Sequence, residues 1–158
     1  MNPVEFTASR LISQNALKVC ESIADVESWS DFNGHGIVPG IDKAVYEKRT
    51  EDLTGSIIKI LNSDGSHHRE EILEWIPGER IVMKIYDFPL PLRTMATHFL
   101  EFWEFEEKGK NKTLITRTFQ IFPVSFLTRP FINQLASLLK RATIAHLDEM
   151  ARKVLEEK

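Results

Sequence analysis

The spacing of apolar residues divides the chain into four stretches, of which the last is the most strongly patterned. From Pro130 to Glu157 apolar positions recur at three and four. Projected at about 100° per residue, Phe131, Ile132, Leu135, Leu138, Leu139, Ala142, Ala145, His146 and Met150 share one broad face, with Lys140, Arg141, Asp148 and Arg152 mostly on the other. One helix of this length spans roughly 42 Å at 1.5 Å per residue, whereas a compact domain of this size has a radius of gyration of about 15 Å. The helix therefore crosses the whole domain and needs a large apolar partner.

The other stretches supply that partner. Val4 to Ser13 alternates loosely through Phe6, Leu11 and Ile12 and predicts a first strand. Ser13 is the expected N-cap of a short amphipathic helix, Gln14 to Ala24, whose apolar positions are Ala16, Leu17, Cys20, Ile23 and Ala24. A second short helical segment, Val26 to Phe32, is broken by Asn33-Gly34-His35-Gly36, whose spacing fits neither the dinucleotide fingerprint nor the P-loop. From Ile41 to Phe122 the chain reads as a meander of six strands: Asp42 to Thr50, Thr54 to Leu61, Arg69 to Trp75, Arg80 to Phe88, Thr94 to Glu106 and Thr113 to Phe122. Turn chemistry at Asn62-Ser63-Asp64-Gly65, Pro77-Gly78 and Lys108-Gly109-Lys110-Asn111 separates them. Two prolines bar regular pairing in Phe88-Pro89-Leu90-Pro91-Leu92, so this apolar loop either packs on the core or forms a greasy rim.

This order predicts an α+β helix-grip fold: a curved antiparallel sheet of six to seven strands, two short helices after strand 1, and one long C-terminal helix across the concave face. A curved sheet does not touch a straight helix everywhere, and the gap left between them suits a small apolar ligand. With 158 residues and no linker or repeat, the whole chain, 1–158, is read as one domain.

Three segments resemble the START-like, or SRPBCC, superfamily, which includes the birch-pollen-allergen fold, and within it the polyketide cyclase/dehydrase group. Leu11-Ile12-Ser13 followed by Ala24-Asp25-Val26-Glu27-Ser28-Trp29 is similar to the family's strand, helix and Asp-Val-x-x-Trp segment. Glu71-Ile72-Leu73-Glu74-Trp75-Ile76-Pro77-Gly78-Glu79-Arg80-Ile81 resembles its Trp-x-Pro-Gly hairpin, and Leu114-Ile115-Thr116-Arg117-Thr118-Phe119 its last strand. The resemblance implies the fold and a cavity. Activities across the superfamily range from lipid or quinone carriage and hormone sensing to aromatase/cyclase chemistry and activation of a chaperone ATPase, and no universal catalytic motif carries over.

Charge and composition narrow the partners. Twenty basic and 23 acidic residues give a net charge of -3 without a long block of either sign, so no nucleic-acid partner is expected. Cys20 is the single cysteine, which leaves no intramolecular disulfide and fits a reducing compartment. No signal-like N-terminus and no run of about 18 apolar residues is present, so a cytoplasmic protein without stable membrane insertion is expected. No cofactor is expected, and no protein partner is legible.

The last hairpin holds the most informative candidates. Along Ile115 to Phe122 the odd positions are apolar except Arg117, which therefore points inward. Met95, Thr97, Phe99, Glu101, Trp103 and Phe105 form the more aromatic set of the preceding strand, and a turn near Gly109 puts Glu101 opposite or next to Arg117. Two inward charges on neighbouring rungs must pair. Either they form a structural ion pair, or Glu101 orients Arg117 to anchor an acidic or carbonyl head group while Phe99, Trp103, Phe119, Leu135 and Leu139 wall an apolar tail.

His146 is either a satisfied core residue or a polar group of the cavity suited to acid-base work. Tyr86, Phe88 and Leu90 are candidates for a cavity rim. Glu70, Glu71 and Glu74 read as surface charges of a hairpin, with Glu71 opposite Lys84. His67 and His68 point to opposite faces of a strand and His98 to an outer face, so no histidine metal site is expected. The leading expectation is a non-catalytic binder or carrier of a small apolar or amphipathic molecule, lipid, polyketide or quinone-like. The alternatives are a cyclase/dehydratase-type enzyme using His146 and Arg117, and an adaptor that meets a protein or membrane through the Phe88 to Leu92 loop.

Overall fold

A computed structural model describes residues 2–157. Strand β1 (Val4–Ile12) leads into helix α1 (Ala16–Ala24), a 3-10 turn over Val26–Asp31, and a small hairpin of β2 (Gly34–His35) and β3 (Val38–Pro39). Six strands follow, β4 (Ile41–Lys48), β5 (Ile57–Asn62), β6 (His67–Ile76), β7 (Arg80–Tyr86), β8 (Ala96–Gly109) and β9 (Lys112–Pro123), before helix α2 (Arg129–Glu156). All ladders are antiparallel, and β1 joins the far side of β9 to give a seven-stranded sheet in the order β1-β9-β8-β7-β6-β5-β4. The fold is the expected helix-grip arrangement of curved sheet and long terminal helix.

Period-two burial makes the inner face. In β9 Thr113, Ile115, Arg117, Phe119, Ile121 and Pro123 are buried while the residues between them are not. Ile81, Met83 and Ile85 of β7 lie at the same rungs as Trp103, Glu101 and Phe99 of β8. Two apolar clusters result, one under α1 and the C-terminal half of α2, the other under the N-terminal half of α2.

Local chemistry differs from the sequence reading at four places. The N-cap of α1 is Asn15, whose Oδ1 accepts from the Lys18 N–H at 2.9 Å, not Ser13. The Asn33 to Gly36 segment is more than a breaker: it opens the β2–β3 hairpin, and Gly34 takes φ +75° with no room for a Cβ, which would lie 2.2 Å from the Val38 carbonyl oxygen. A register shift in β8 between Ala96 and His98 leaves Ala96 buried and Thr97 exposed, so Thr97 leaves the inner face.

The fourth difference concerns α2. Its buried residues are Ile132, Ala136, Leu139, Ala142, Thr143, Leu147 and Ala151, a stripe rotated by most of one residue's turn from the face expected from hydrophobicity. Phe131 and Ala145 are exposed, whereas Thr143 is fully buried because its hydroxyl donates to the Leu139 carbonyl oxygen at 2.8 Å. Small residues dominate the stripe because α2 lies closest to β1, and Ala136, Ala142 and Ala151 allow that approach. Leu135 and Leu138 of the expected face remain half-buried, Leu138 beside Gly36 of the small hairpin. No described helix is long and apolar enough to cross a membrane.

Candidate functional site

The site grows from the β8–β9 register. Trp103 pairs with Arg117 and Glu101 with Phe119, so Glu101 and Arg117 are diagonal neighbours on one face. On the other side of β9 the residue at the rung of Arg117 is Ala8, whose small side chain leaves space for the guanidinium under α2.

Arg117 is clamped on every side. Its Nε and Nη2 donate to Glu101 Oε2 at 2.7 and 2.6 Å, and its Nη1 donates to His146 Nδ1 at 2.9 Å. The guanidinium carbon stands 4.0 Å from the Trp103 ring centroid and 5.6 Å from that of Phe119. Both partners of the ion pair have side chains only 5% exposed.

Because arginine only donates, Nδ1 of His146 must be the unprotonated nitrogen and Nε2 carries the proton. Burial, the positive charge of Arg117 and that of Lys153 together push the His146 pKa down to about 3. The ring also meets Phe32 edge-on, with centroids 5.5 Å apart. His146 is thus a neutral imidazole at physiological pH, and its basic nitrogen is occupied. Burial raises the pKa of Glu101, Arg117 opposes this, and the nearby Glu70 carboxylate adds to it. The Trp103 indole N–H is turned toward Glu101 and favours its ionised form, yet the buried Nε1 does not reach hydrogen-bond geometry with any partner.

Two cavities of about 560 and 510 Å³ flank this cluster. The first lies under α1, the 3-10 turn and the C-terminal half of α2, bordered by Trp29, Met83, Trp103, His146, Met150 and Val154. Lys153 Nζ and Asp31 Oδ2, 2.6 Å apart, tie α2 to the 3-10 turn beside it. The second lies under the N-terminal half of α2 and is walled by Ile85, Phe88, Phe99, Phe119, Leu135 and Leu139, with Ile37, Leu90 and Phe131 among its exposed border residues. Glu70, Glu101 and Arg117 border both cavities, so the charged cluster is the partition between them.

Most of the sequence candidates meet here: Arg117 and Glu101 in the partition, His146 and Trp103 on its first-cavity side, Phe99, Phe119, Leu135 and Leu139 in the second cavity. Phe88 is buried in the wall of the second cavity rather than placed at its rim, and Leu90 is exposed at the border. Tyr86 departs from the expectation. It alternates with the inward Ile85 onto the outer face, where Lys84 Nζ lies 5.5 Å from its ring, and it lines neither cavity.

Glu70 reads as a surface charge in the sequence and is instead buried, with His68 Nε2 3.4 Å from its Oε1. A signal for this exists, since the register that pairs Glu71 with Lys84 puts Glu70 beside the inward Ile85. The pairing itself survives for compensating reasons. Gly78 at φ +76° lets the turn close from the Ile76 carbonyl to the Glu79 N–H, the loop is one residue longer than two, and a bulge at Leu73 restores the register. Cys20 is buried with its thiol pKa pushed up and accepts from the Gly78 N–H at 3.3 Å, an unreactive setting.

Comparison with known proteins agrees with this geometry. The family model described as polyketide cyclase / dehydrase and lipid transport matches residues 3–155. No curated protein matches the chain. Among solved structures, a START superfamily protein from Mycobacterium smegmatis superposes with a TM-score of 0.72 at 13% identity, over 95% of this chain and 98% of that one. The Zhui aromatase/cyclase of a Streptomyces species gives 0.71 at 13% identity, over 96% and 93%. The protein XoxI from Bacillus cereus gives 0.66 at 18% identity, over 96% of both chains.

Proposed function

Since the chain belongs to the polyketide cyclase / dehydrase and lipid transport family, we propose that it binds or carries a small apolar or amphipathic molecule between its sheet and its C-terminal helix. The observation that carries this reading is the pair of cavities of about 560 and 510 Å³ on either side of a buried charged cluster. Closely packed interiors leave few voids larger than a water molecule. Spaces of this size, one of them walled mainly by apolar side chains with Glu70, Glu101 and Arg117 at its polar side, are of the dimensions that hold a lipid, polyketide or quinone-like molecule. Phe99, Phe119, Leu135 and Leu139 take the apolar body, Trp103 borders the polar side, and the partition meets the polar end.

The alternative, a cyclase/dehydratase-type enzyme, finds less support in His146 than its residue type suggests. A ring with a pKa of about 3 and its Nδ1 filled by Arg117 is not a general base at neutral pH. An adaptor acting through the Phe88 to Leu92 loop finds Phe88 spent on the cavity wall, which leaves Leu90 and Pro91 as the exposed residues of the loop.

The test is native mass spectrometry of the purified protein with organic extraction, followed by displacement of an uncharged apolar fluorophore. Retained or displaceable apolar ligand is expected, with binding weakened about tenfold or more by filling the second cavity through Leu135→Trp. A protein that excludes the fluorophore and every apolar competitor overturns the proposal.

A further inference from the structure

Glu70 and Glu101 each present a free acceptor oxygen to the cavities, and these define one kind of polar group the partition takes. Arg117 directs Nε and both terminal nitrogens at Glu101 and His146 and lays its face on Trp103. Glu101 receives both of its arginine contacts on Oε2, and among the described residues no hydrogen bond to its Oε1 is formed. Glu70 is more isolated still. Its side chain is 9% exposed, its one polar contact is His68 Nε2 at 3.4 Å from Oε1, and Oε2 accepts nothing among the described residues.

Neither free carboxylate oxygen is among the buried atoms sealed without a partner, which are Arg80 Nε and Trp103 Nε1. The two free oxygens therefore keep accessible surface, and both residues border both cavities. Glu70 on β6 lies beside Ile85 of β7, which lies beside Phe99 of β8, two residues from Glu101. The two carboxylates thus rise two strands apart, on backbones separated by roughly 10 Å, from the concave face of the sheet.

Two carboxylates face one guanidinium, and His146, holding its Nδ1 as an acceptor, adds no charge. Glu101 is matched by the guanidinium, whereas Glu70 has only His68 Nε2 at 3.4 Å, in a setting where a poorly partnered carboxylate is costly. A cation in the gap offsets that cost.

Resting on the binding reading above, we propose that Glu70 and Glu101 form the acidic half of the site and receive the protonated amine of an amphipathic ligand, whose apolar body lies against Phe88, Phe99, Phe119 and Leu135. This reverses the head-group expectation drawn from sequence, in which Arg117 holds an acid or a carbonyl. Arg117 acts instead as a positioning residue that holds Glu101 ionised and in place.

The test titrates decylamine, decanol and decanoate, matched in chain and below their critical micelle concentrations, into wild-type protein and Glu70→Gln near pH 7 by calorimetry. Wild type is expected to bind decylamine about tenfold or more tighter than decanol, with decanoate weakest, and Glu70→Gln to weaken decylamine by about ten- to a hundredfold while changing decanol little. Decanoate or decanol binding as tightly as decylamine overturns the amine assignment and leaves the cavity reading standing. Unchanged decylamine affinity in Glu70→Gln does the same. Failure of all three to bind overturns both. The ranking in wild type needs no variant, so a Glu70→Gln protein that misfolds does not remove the test.

Discussion

Replacing Arg117 by leucine removes the one strong cation from the partition while leaving Glu101 in place. The side chain of Glu101 is 5% exposed, and the substitution deprives it of two hydrogen bonds from the guanidinium, at 2.6 and 2.7 Å. Removing one partner of such a pair costs about 3–5 kcal/mol, because the remaining charge is buried without compensation. Against a typical total of about 5–15 kcal/mol this is a large fraction, and at about 2–4 °C per kcal/mol for a chain of this size the melting temperature falls by roughly 6–20 °C.

The pH dependence carries the diagnosis. Burial and Glu70 already raise the Glu101 pKa, and Arg117 is the main influence opposing them. Without arginine the folded-state pKa rises further above the unfolded value. A carboxyl group with a raised folded pKa is least unfavourable below its unfolded pKa, and its penalty grows as pH rises through the folded value. Arg117→Leu is therefore expected to lose far more stability at pH 7 than at pH 4.5, relative to wild type, in urea denaturation followed by circular dichroism. Adding Glu101→Leu is expected to restore much of the loss at pH 7. A single variant as stable as wild type at pH 7, or a deficit equal at both pH values, refutes the reasoning.

Two further outcomes test other parts of the structure. His146 is expected to show the Nε2–H tautomer and no protonation between pH 5.5 and 8 in nitrogen-detected NMR, because its pKa lies at about 3; a midpoint near 6.5 contradicts the Arg117 contact. Since this folded pKa is depressed, the contribution of His146 to stability is present above its unfolded pKa of about 6.5 and is lost as pH falls toward 3. On α2, Leu147→Ala is expected to cost about 2–5 kcal/mol, since Leu147 is 1% exposed, whereas Phe131→Ala, at a residue 62% exposed, changes stability by about 0.5 kcal/mol or less. Thermal denaturation giving the reverse order would restore the helix face read from hydrophobicity.

Strand and helix existence, the inward arginine and its glutamate neighbour were legible because they follow from period-two alternation and turn positions, which are local and survive in any tertiary setting. Element ends were less so. Asn15 outcompeted Ser13 as a cap, and a bulge at Thr97 flipped the first residues of β8, both by choices of a single hydrogen-bond geometry.

What the chain alone determined was the order of elements, their antiparallel succession and the parity that aims Arg117 and Glu101 at the concave face. Tertiary structure decided the rest. The buried stripe of α2 follows small residues that let it approach β1, not the largest ones, because close packing rewards fit as well as hydrophobicity. His146, at the edge of that stripe, meets Arg117, and Leu135 is left to wall a cavity. Glu70 reads as a surface charge until neighbouring strands place it inside, since the cost of burying a carboxylate depends on partners contributed by distant parts of the chain.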